Sequence, residues 1–354
     1  MSRNNLYAVF SEWRQLQQPL VLASVYETQG STYSKAGAQM LINSAGDFQG
    51  MLSGGCLEGD LAERARQVVA SGESQAVTYD LTQDDEDLWG LGVGCDGLMR
   101  IFLQQLKPAQ DFQPLGAMLD ACLGDSTQIA ATIITSDVDG LPSGSSLIVH
   151  GDQLTWSDIE SSLRAPIIAA ATAARANDQS EVATVALPEG ECRVLCSLLR
   201  PYPNILVLGA GLDAEPVVRL CAELGWRVTV SDHRPGYLDK GDFSAANDVR
   251  LTIAEDLARS VKLDTYDAAI VMSHHLVTDE TYLRQLAESN IAYVGLLGPV
   301  NRRKRLLDKL GDVAGALEDR LHGPAGIDIN ASGPAAIALS IVAEVQQCIV
   351  RAVR

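Results

Sequence analysis

The chain has 354 residues, of which 45 are acidic and 27 are basic, so its formal net charge is −18. A field of that sign repels nucleic-acid phosphates and anionic membranes, and we expect neither as a partner. Seven cysteines, an odd number, favour reduced thiols over a disulfide framework. No secretory signal core and no apolar run of about 18 residues occurs. These features predict a cytoplasmic protein without a membrane span, long enough for two domains.

The first 200 residues predict a mixed α+β domain. In chain order the pattern indicates a helix at 6–18, strands at 20–26, 39–43 and 48–53, a helix at 57–70, and strands at 76–81 and 98–105. A helix, a strand at 129–135, a hairpin through 142–144, an alanine-rich helix at 158–176 and two strands follow. Cys192 and Cys196 lie in the last strand pair, where core packing is the better interpretation.

A cysteine between close glycines stands out in the segment 51–60. Cys56 follows Gly54 and Gly55 at the point where an apolar strand gives way to an amphipathic helix. The first turn of a helix exposes unpaired N–H groups that stabilise a thiolate, and glycines let a ligand approach the backbone. The segment 92–97 repeats this theme around Cys95. Two such cysteines suit a soft metal, a sulfur atom or a covalent adduct in one shared cleft, with simple core packing as the alternative.

The segment 200–203 contains two prolines and predicts a boundary between a domain at 1–200 and a domain at 201–354. Beyond it, strands at 205–208, 227–231, 268–273 and 291–296 alternate with helices. That alternation predicts an α/β, Rossmann-like, doubly wound parallel sheet. Gly209 and Gly211 form a G-x-G turn, in which Gly209 makes the tight bend and Gly211 admits a pyrophosphate. Asp232 stands where ribose hydroxyls are held in such folds.

Several charged residues fall near the same crevice. Asp213 adds negative charge close to the phosphate position, while Arg234 suits a phosphate. His274 closes a strand and can face the crevice. Arg302 begins a basic run that ends at Arg305, for which a solvated helix face is the alternative. The sequence therefore leaves open whether NAD(P) or another nucleotide binds here.

Ordered motifs extend along the whole chain, at residues 30–32, 53–58, 92–97, 209–211, 232–234, 274 with 279, 293–295, 323–329 and 337–341. In this order they resemble the XdhC/CoxI family of molybdenum-cofactor accessory proteins. The resemblance implies an N-terminal cofactor-handling domain and a C-terminal Rossmann domain. It implies a non-catalytic chaperone that binds the molybdenum cofactor, as molybdopterin or a dinucleotide form, protects it during sulfuration, and inserts it into a xanthine dehydrogenase or aldehyde oxidase.

The resemblance also implies the site residues. Cys56 and Cys95 would handle the cofactor, its sulfur or its molybdenum. The other cofactor-binding candidates are Ser31, Thr32, Ser53, Gly54, Gly55, Glu58, Gly209, Gly211, Asp232, Arg234, His274 and Arg302. A cysteine desulfurase is a candidate second partner, and we expect a homodimer.

The chain departs from the family pattern at three places in its C-terminal half, at His275, at Pro299 and at residues 335 and 336. The anion-handling details of that crevice are therefore the least constrained. Two alternatives to the chaperone stay open. One is an NAD(P)-dependent oxidoreductase that uses His274 as acid and base, although no second proton-transfer residue stands out beside it. The other is a sulfur transferase with Cys56 as the persulfide carrier.

Overall fold

The computed structural model describes residues 6–80 and 97–352, with side chains up to residue 349. The chain divides into two compact units: the N-terminal unit ends at Pro201 and the C-terminal unit begins at Tyr202. Elements of the described residues are numbered here in chain order. Within these ranges, every helix is too short or too polar to cross a bilayer.

The N-terminal unit contains two antiparallel five-stranded sheets. The first sheet has the order β3-β2-β1-β5-β4. Its elements are α1 (Leu6–Gln15), β1 (Leu20–Gly30), β2 (Gln39–Ile42), β3 (Phe48–Gln49), α2 (Glu58–Ser71), β4 (Gln75–Asp80) and β5 (Gly97–Leu106). The second sheet has the order β8-β7-β6-β10-β9. Its elements are α3 (Leu115–Cys122), β6 (Gln128–Ser136), β7 (Ser146–His150), β8 (Gln153–Ser157), α4 (Arg164–Ala176), β9 (Glu181–Leu187) and β10 (Gly190–Leu199).

The two sheets repeat one topology, which the sequence pattern did not indicate. In both, the first strand of the repeat lies at the centre, a hairpin extends to one side, and a helix precedes the two strands on the other side. Each helix buries apolar residues with the same spacing of four and then three, so one face packs on its sheet. Those residues are Leu61, Ala65 and Val68 in α2, and Ile167, Ala171 and Ala174 in α4.

The second repeat also accounts for two of the cysteines. Cys192 and Cys196 lie in the apolar core between α4 and its sheet, and both are almost completely buried. Burial raises the pKa of Cys196 to about 12, which keeps its thiol protonated at neutral pH. The packing interpretation of this pair is consistent with their positions.

The C-terminal unit is the predicted parallel, doubly wound sheet. All its strand pairs are parallel, in the order β13-β12-β11-β14-β15-β16. The chain order switches between β11 and β14, where such folds open a crevice at the carboxyl ends of the strands. The elements are β11 (Asn204–Leu208), α5 (Ala214–Glu223), β12 (Arg227–Asp232), α6 (Pro235–Leu238), β13 (Asp248–Leu251), α7 (Leu257–Ser260), β14 (Ala268–Val271), α8 (Leu276–Ala287), β15 (Tyr293–Leu296), α9 (Val300–Leu310), β16 (Leu321–His322) and α10 (Pro334–Ala352).

The first glycine of the β11 turn has no room for a side chain. Gly209 has a φ of +125°, and a Cβ there would lie 2.5 Å from the carbonyl oxygen of Met272. We expect Gly209→Ala to lower the free energy of unfolding of the C-terminal unit by about 2–4 kcal/mol, because it adds both overlap and backbone strain. Thermal and urea denaturation followed by circular dichroism measure this. Gly236→Ala, where a Cβ meets nothing within 4 Å, is the matched control, and equal stability of the two variants would contradict the expectation.

Candidate functional site

Two connections of the first repeat, and the strand ends Asp80 and Gly97 that flank a third, lie at one edge of its sheet, which we call the loop edge. Residues 31–38 follow β1, residues 50–57 join β3 to α2, and residues 81–96 join β4 to β5. The strand register places their ends together, because Gly30 pairs with Gly97 and Asp80 pairs with Leu98. Cys95 lies outside the described residues, so its predicted approach to Cys56 stays a prediction.

The loops at residues 31–38 and 50–57 touch one another. The hydroxyl of Ser34 donates to the carbonyl oxygen of Met51 at 3.3 Å. The ring of Tyr33 lies beside Gly54, with ring atoms 3.4–3.9 Å from the position of a Cβ on that glycine. A Cβ on Gly97 would lie 2.6 Å from the carbonyl oxygen of Ser31. Close contact of backbones therefore fixes the geometry of the loop edge.

The carboxylate of Glu58 binds the backbone of the cysteine loop, residues 50–57, on the buried side of that loop. The carboxylate accepts hydrogen bonds from the N–H groups of Leu52, Ser53 and Gly55 at 2.9, 2.8 and 3.0 Å, and from the Ser53 hydroxyl at 2.5 Å. The side chain is 2% exposed. Burial by itself raises the pKa of Glu58, but the hydrogen bonds from Ser53 and Leu52 outweigh it and hold the pKa below its usual value. Glu58, predicted as a cofactor-binding residue, thus contacts the loop backbone.

The other side of the cysteine loop is exposed to solvent at its two glycines. Gly54 and Gly55 are exposed and have positive φ angles of +79° and +111°, and a Cβ on Gly55 meets nothing within 4 Å. Among the described residues, the N–H groups of Gly54 and Cys56 find no hydrogen-bond partner. Cys56 is half-buried against the core of the first repeat. N–H groups without a partner among the described residues, the start of α2 and a thiol therefore lie side by side.

The loop at residues 31–38 brings polar groups to the same edge. Ser31 is exposed, and the hydroxyl of Thr32 donates to the carbonyl oxygen of Ser34 at 2.8 Å. The ammonium group of Lys35 lies 3.4 Å from the Thr32 hydroxyl and is exposed. Sequence reasoning did not single out Lys35 or Tyr33. A cation in a loop between two glycines was the signal that could have found Lys35.

The second repeat has the same strand order as the first but lacks the glycines, the cysteine and the length of these connections. Its β8–α4 connection, residues 158–163, contains neither glycine nor cysteine, and its β9–β10 connection consists of two residues, Pro188 and Glu189. The corresponding connections of the first repeat have the Gly54-Gly55-Cys56 segment and 16 residues, 81–96. The fold therefore does not require glycines, a cysteine or a long loop at these positions.

In the C-terminal unit, Asp232 lies beneath the glycine turn. Its carboxylate accepts the N–H of Ala210 at 2.7 Å and three donors of Arg234, the backbone N–H, Nε and a terminal nitrogen, at 2.7–2.9 Å. Asp232 is fully buried, and burial alone raises the pKa of its carboxyl, but the Arg234 guanidinium and these N–H groups hold the pKa below its usual value. Its role at ribose hydroxyls stays a prediction. The guanidinium of Arg234 stacks on the ring of Tyr237 at 3.7 Å.

A second acid covers the turn itself. A Cβ on Gly211 would lie 2.4 Å from Oδ1 of Asp213, so the carboxylate lies over the glycine that was expected to face a pyrophosphate. Oδ2 of Asp213 lies 2.7 Å from Nε2 of His274. The hydrogen bond to Asp213 is the main cause that raises the pKa of His274. His274 is half-exposed at the crevice, with a positive φ of +60°.

Arg302 of α9 pairs with Asp279 of α8, and Tyr282 of α8 is buried. The guanidinium of Arg302 donates to the buried carboxylate of Asp279 at 2.5 Å, and Asp279 also accepts from the Ser273 hydroxyl at 2.5 Å. Tyr282 is fully buried, and its hydroxyl has no hydrogen-bond partner among the described residues. Burial, then the negative charge of Asp232, raises the pKa of Tyr282.

These residues do not form a metal centre by themselves. In the part of the chain that the structure describes, no three histidine, cysteine, aspartate or glutamate side chains converge as metal ligands. The predicted molybdenum contact through Cys56 and Cys95 depends on a residue outside that part and stays a prediction.

Comparison with known proteins gives matches across both units. Residues 13–80 match the model of the XdhC and CoxI family, and residues 205–345 match the XdhC Rossmann domain. A Bacillus subtilis (strain 168) protein described as a probable subunit of xanthine dehydrogenase is 30% identical over 345 residues, 97% of each chain. The Escherichia coli (strain K12) molybdenum cofactor insertion chaperone PaoD is 23% identical over 92% of this chain and 82% of its own. A crystal structure of a xanthine dehydrogenase from Bacillus halodurans has a TM-score of 0.77 and 26% identity, and the match covers 99% of this chain and 96% of that one.

The carboxylate of Glu58 gives a testable stability difference. We expect Glu58→Gln to lower the free energy of unfolding by about 3 kcal/mol at pH 7, because an amide cannot accept all four buried hydrogen bonds. Since the folded-state pKa of Glu58 is lowered, the difference from the wild type is full above the unfolded pKa of about 4.3 and is lost as the pH falls through the folded value. Urea denaturation at several pH values measures it. Glu63→Gln, an exposed acid of the same helix, is the control, and equal losses in the two variants would refute the role of Glu58.

Proposed function

Because the chain belongs to the XdhC and CoxI family, we propose that it is an accessory chaperone for a molybdoenzyme of the xanthine dehydrogenase or aldehyde oxidase type. It binds the molybdenum cofactor, supports its sulfuration and inserts it into that enzyme. The observation that carries the proposal is the open Gly54-Gly55-Cys56 loop, held rigid from below by the buried Glu58 carboxylate. A curated relative is named a molybdenum cofactor insertion chaperone, which supports the same role.

The loop edge has the chemistry that this cargo needs. The cofactor carries an anionic phosphate, for which the N–H groups of Gly54 and Cys56, unpaired among the described residues, and the ammonium of Lys35 are suitable partners. Molybdenum with its dithiolene is soft, and the Cys56 thiol is a soft ligand or sulfur carrier. Residues 81–96, which include Cys95, connect Asp80 to Gly97, and the strand register places those two flanking residues at the same edge. We therefore assign cargo binding to the loop edge.

The internal repeat strengthens this assignment. The second repeat builds the same sheet and the same helix contact with an ordinary β8–α4 connection and a two-residue β9–β10 turn. Glycines with positive φ lose more conformational entropy on folding than other residues, so keeping two of them in sequence has a stability cost. A binding role for the loop edge accounts for that cost, whereas a purely structural role does not.

The partners follow from the proposed chemistry. The molybdoenzyme receives the cofactor, and a cysteine desulfurase is the candidate source of its sulfur. We further propose a homodimer that acts in the cytoplasm. Copurification of this chain with each partner, together with its mass in solution, tests these assignments.

Cys56 provides the sharpest test of the chaperone. Cys56→Ala should cost about 1–2 kcal/mol of stability, too little to unfold a unit of this size. We expect protein from cells that make the cofactor to lose at least about tenfold in bound molybdenum, because no methyl group replaces a soft sulfur ligand. Native mass spectrometry with elemental analysis gives the molybdenum content. The activity of the partner enzyme in the same cells gives the delivery.

Cys122→Ala is the matched control. Cys122 lies in α3 of the same unit, and burial raises the pKa of its thiol to about 11. The control should retain molybdenum and support the partner enzyme. Full partner activity with Cys56→Ala would show that Cys56 is a packing residue. Absence of molybdenum from the wild type as well would overturn cargo binding.

For the C-terminal crevice we propose a nucleotide held by its phosphates. Both carboxylate oxygens of Asp232 are engaged by Arg234 and the Ala210 N–H, so a ribose hydroxyl would have to displace them. The guanidinium of Arg234 is partly exposed beside the turn and can meet a phosphate. Asp213 competes with such a phosphate, because its carboxylate already covers Gly211 and pairs with His274.

Removal of the Asp213 charge should reveal this site. We expect Asp213→Asn to tighten binding of NADP or NAD about tenfold, since the charge that competes with the phosphate over Gly211 disappears. Isothermal titration calorimetry measures the dissociation constants. Asp319→Asn, the same charge change just before β16, at the opposite end of the strands, is the control. Unchanged binding in Asp213→Asn would refute the competition, and steady NAD(P)H turnover would favour the oxidoreductase alternative.

A further inference from the structure

A cysteine, a histidine and a glutamate form a chain of contacts between α10 and the edge strand β16, away from the Gly209-Ala210-Gly211 turn of the same unit. Sγ of Cys348 lies 4.0 Å from Nε2 of His322, and Nδ1 of the same ring lies 3.2 Å from Oε1 of Glu344. β16 is three strand positions from β11, or about 14 Å across the sheet. All three side chains are only partly buried.

The fold fixes this geometry from both sides. Glu344 and Cys348 are four residues apart in α10, so they lie on one face of the helix. Oε2 of Glu344 accepts the Tyr293 hydroxyl and the Gly326 N–H, both at 2.7 Å. Glu344 therefore cannot turn away from His322.

The imidazole ring is held in its plane as well. The ring of Tyr293 stacks on His322 with centroids 4.5 Å apart. It reaches His322 by lying across Gly295, where a Cβ would be 2.9 Å from the Tyr293 ring. His322 is the register partner of Gly295 on the neighbouring strand. The missing side chain of Gly295 is thus what allows the stack.

The line of groups is the arrangement of an activated thiol rather than of a metal site. Metal ligands converge on one point, but Cys348 and Glu344 meet opposite nitrogens of the ring. A base within reach of a thiol, oriented by a carboxylate on its other nitrogen, is the geometry of a cysteine nucleophile. In contrast, Cys221 of the same unit is fully buried in the apolar core, where burial raises its pKa to about 12.

We propose that Cys348 is a nucleophilic thiol that accepts sulfane sulfur from a persulfide donor, with His322 as its base and Glu344 as the residue that positions His322. The choice of a persulfide rests on the proposed role in cofactor sulfuration. His322 takes the proton of Cys348, and the thiolate attacks the terminal sulfur of the donor persulfide. The donor S–S bond breaks and its electron pair leaves with the donor sulfur, which takes the proton back from His322. Cys348 becomes a persulfide and the donor a thiol, so no further oxidant is needed.

The first test measures alkylation of the full-length protein by iodoacetamide, cysteine by cysteine, with peptide mass spectrometry. At mildly acidic pH we expect Cys348 to react at least about tenfold faster than Cys122, because His322 lies beside Cys348 as a base, whereas Cys122 packs against an apolar core. His322→Asn should remove that advantage. Glu344→Gln should shift the pH at which alkylation becomes fast to a higher value, with an unchanged circular dichroism spectrum. This second variant keeps the test informative if His322→Asn does not fold.

The second test uses glutathione persulfide as the probe. We expect the Cys348 peptide of the wild type to gain one sulfur atom, with no gain at that site in Cys348→Ser and at least about tenfold slower gain in His322→Asn. Alkylation of Cys348 no faster than that of Cys122 overturns the activated thiol. Fast alkylation without sulfur gain overturns the persulfide assignment. Neither result depends on the molybdenum content of the wild type, which decides the chaperone function separately.

Discussion

Carboxylates that accept backbone N–H groups hold the glycine-containing loops of both units in place; those of Glu58 and Asp232 are buried and that of Glu344 is partly buried. Glu58 gathers the N–H groups of the cysteine loop, Asp232 accepts the N–H of the β11 turn, and Glu344 accepts the N–H of Gly326. A buried charge without partners would cost several kcal/mol, so each acid commits its loop to the one conformation that supplies the donors. Glycine loops are otherwise the parts of a chain with the most backbone freedom.

This use of acids changes what the loops offer to a ligand. The carboxylates of Glu58 and Asp232 lie on the buried side of their loops. Backbone N–H groups bind both of them, and Arg234 also binds Asp232. At the cysteine loop, the N–H groups of Gly54 and Cys56 then have no partner among the described residues. Asp213 is the exception, since its carboxylate lies over Gly211 on the outside and pairs with His274. A chain with a net charge of −18 can therefore still present sites for anions, provided its acids near those sites are already satisfied.

Much of the fold could be predicted from the sequence, and its side-chain contacts could not. Period-two and period-3.6 patterns with a G-x-G turn are local signals, and they indicated the parallel sheet that the structure has. The short strands β13 and β16 were not indicated, because two to four residues carry too little pattern. The repeat in the N-terminal unit was also missed, since its two halves share strand order but differ in every loop. An acid such as Glu58 occupies the same sequence position whether it binds a ligand or its own loop, so only coordinates distinguish the two.

The cysteines differ in the same way: the surroundings of some can be read from neighbouring residues in the sequence, and those of others depend on contacts formed by folding. Cys196 and Cys221 are fully buried among apolar side chains that raise their pKa values, so their thiols stay protonated at neutral pH. Cys56 is set apart by the glycines next to it, which a sequence displays directly. Cys348 is set apart by His322, 26 residues away, and by the space that Gly295 leaves for the Tyr293 ring. Cys56 and Cys348 are half-buried and lie beside polar groups, so among the described thiols these two are suited to handling sulfur. Of the two, Cys348 becomes recognisable only after the chain has folded.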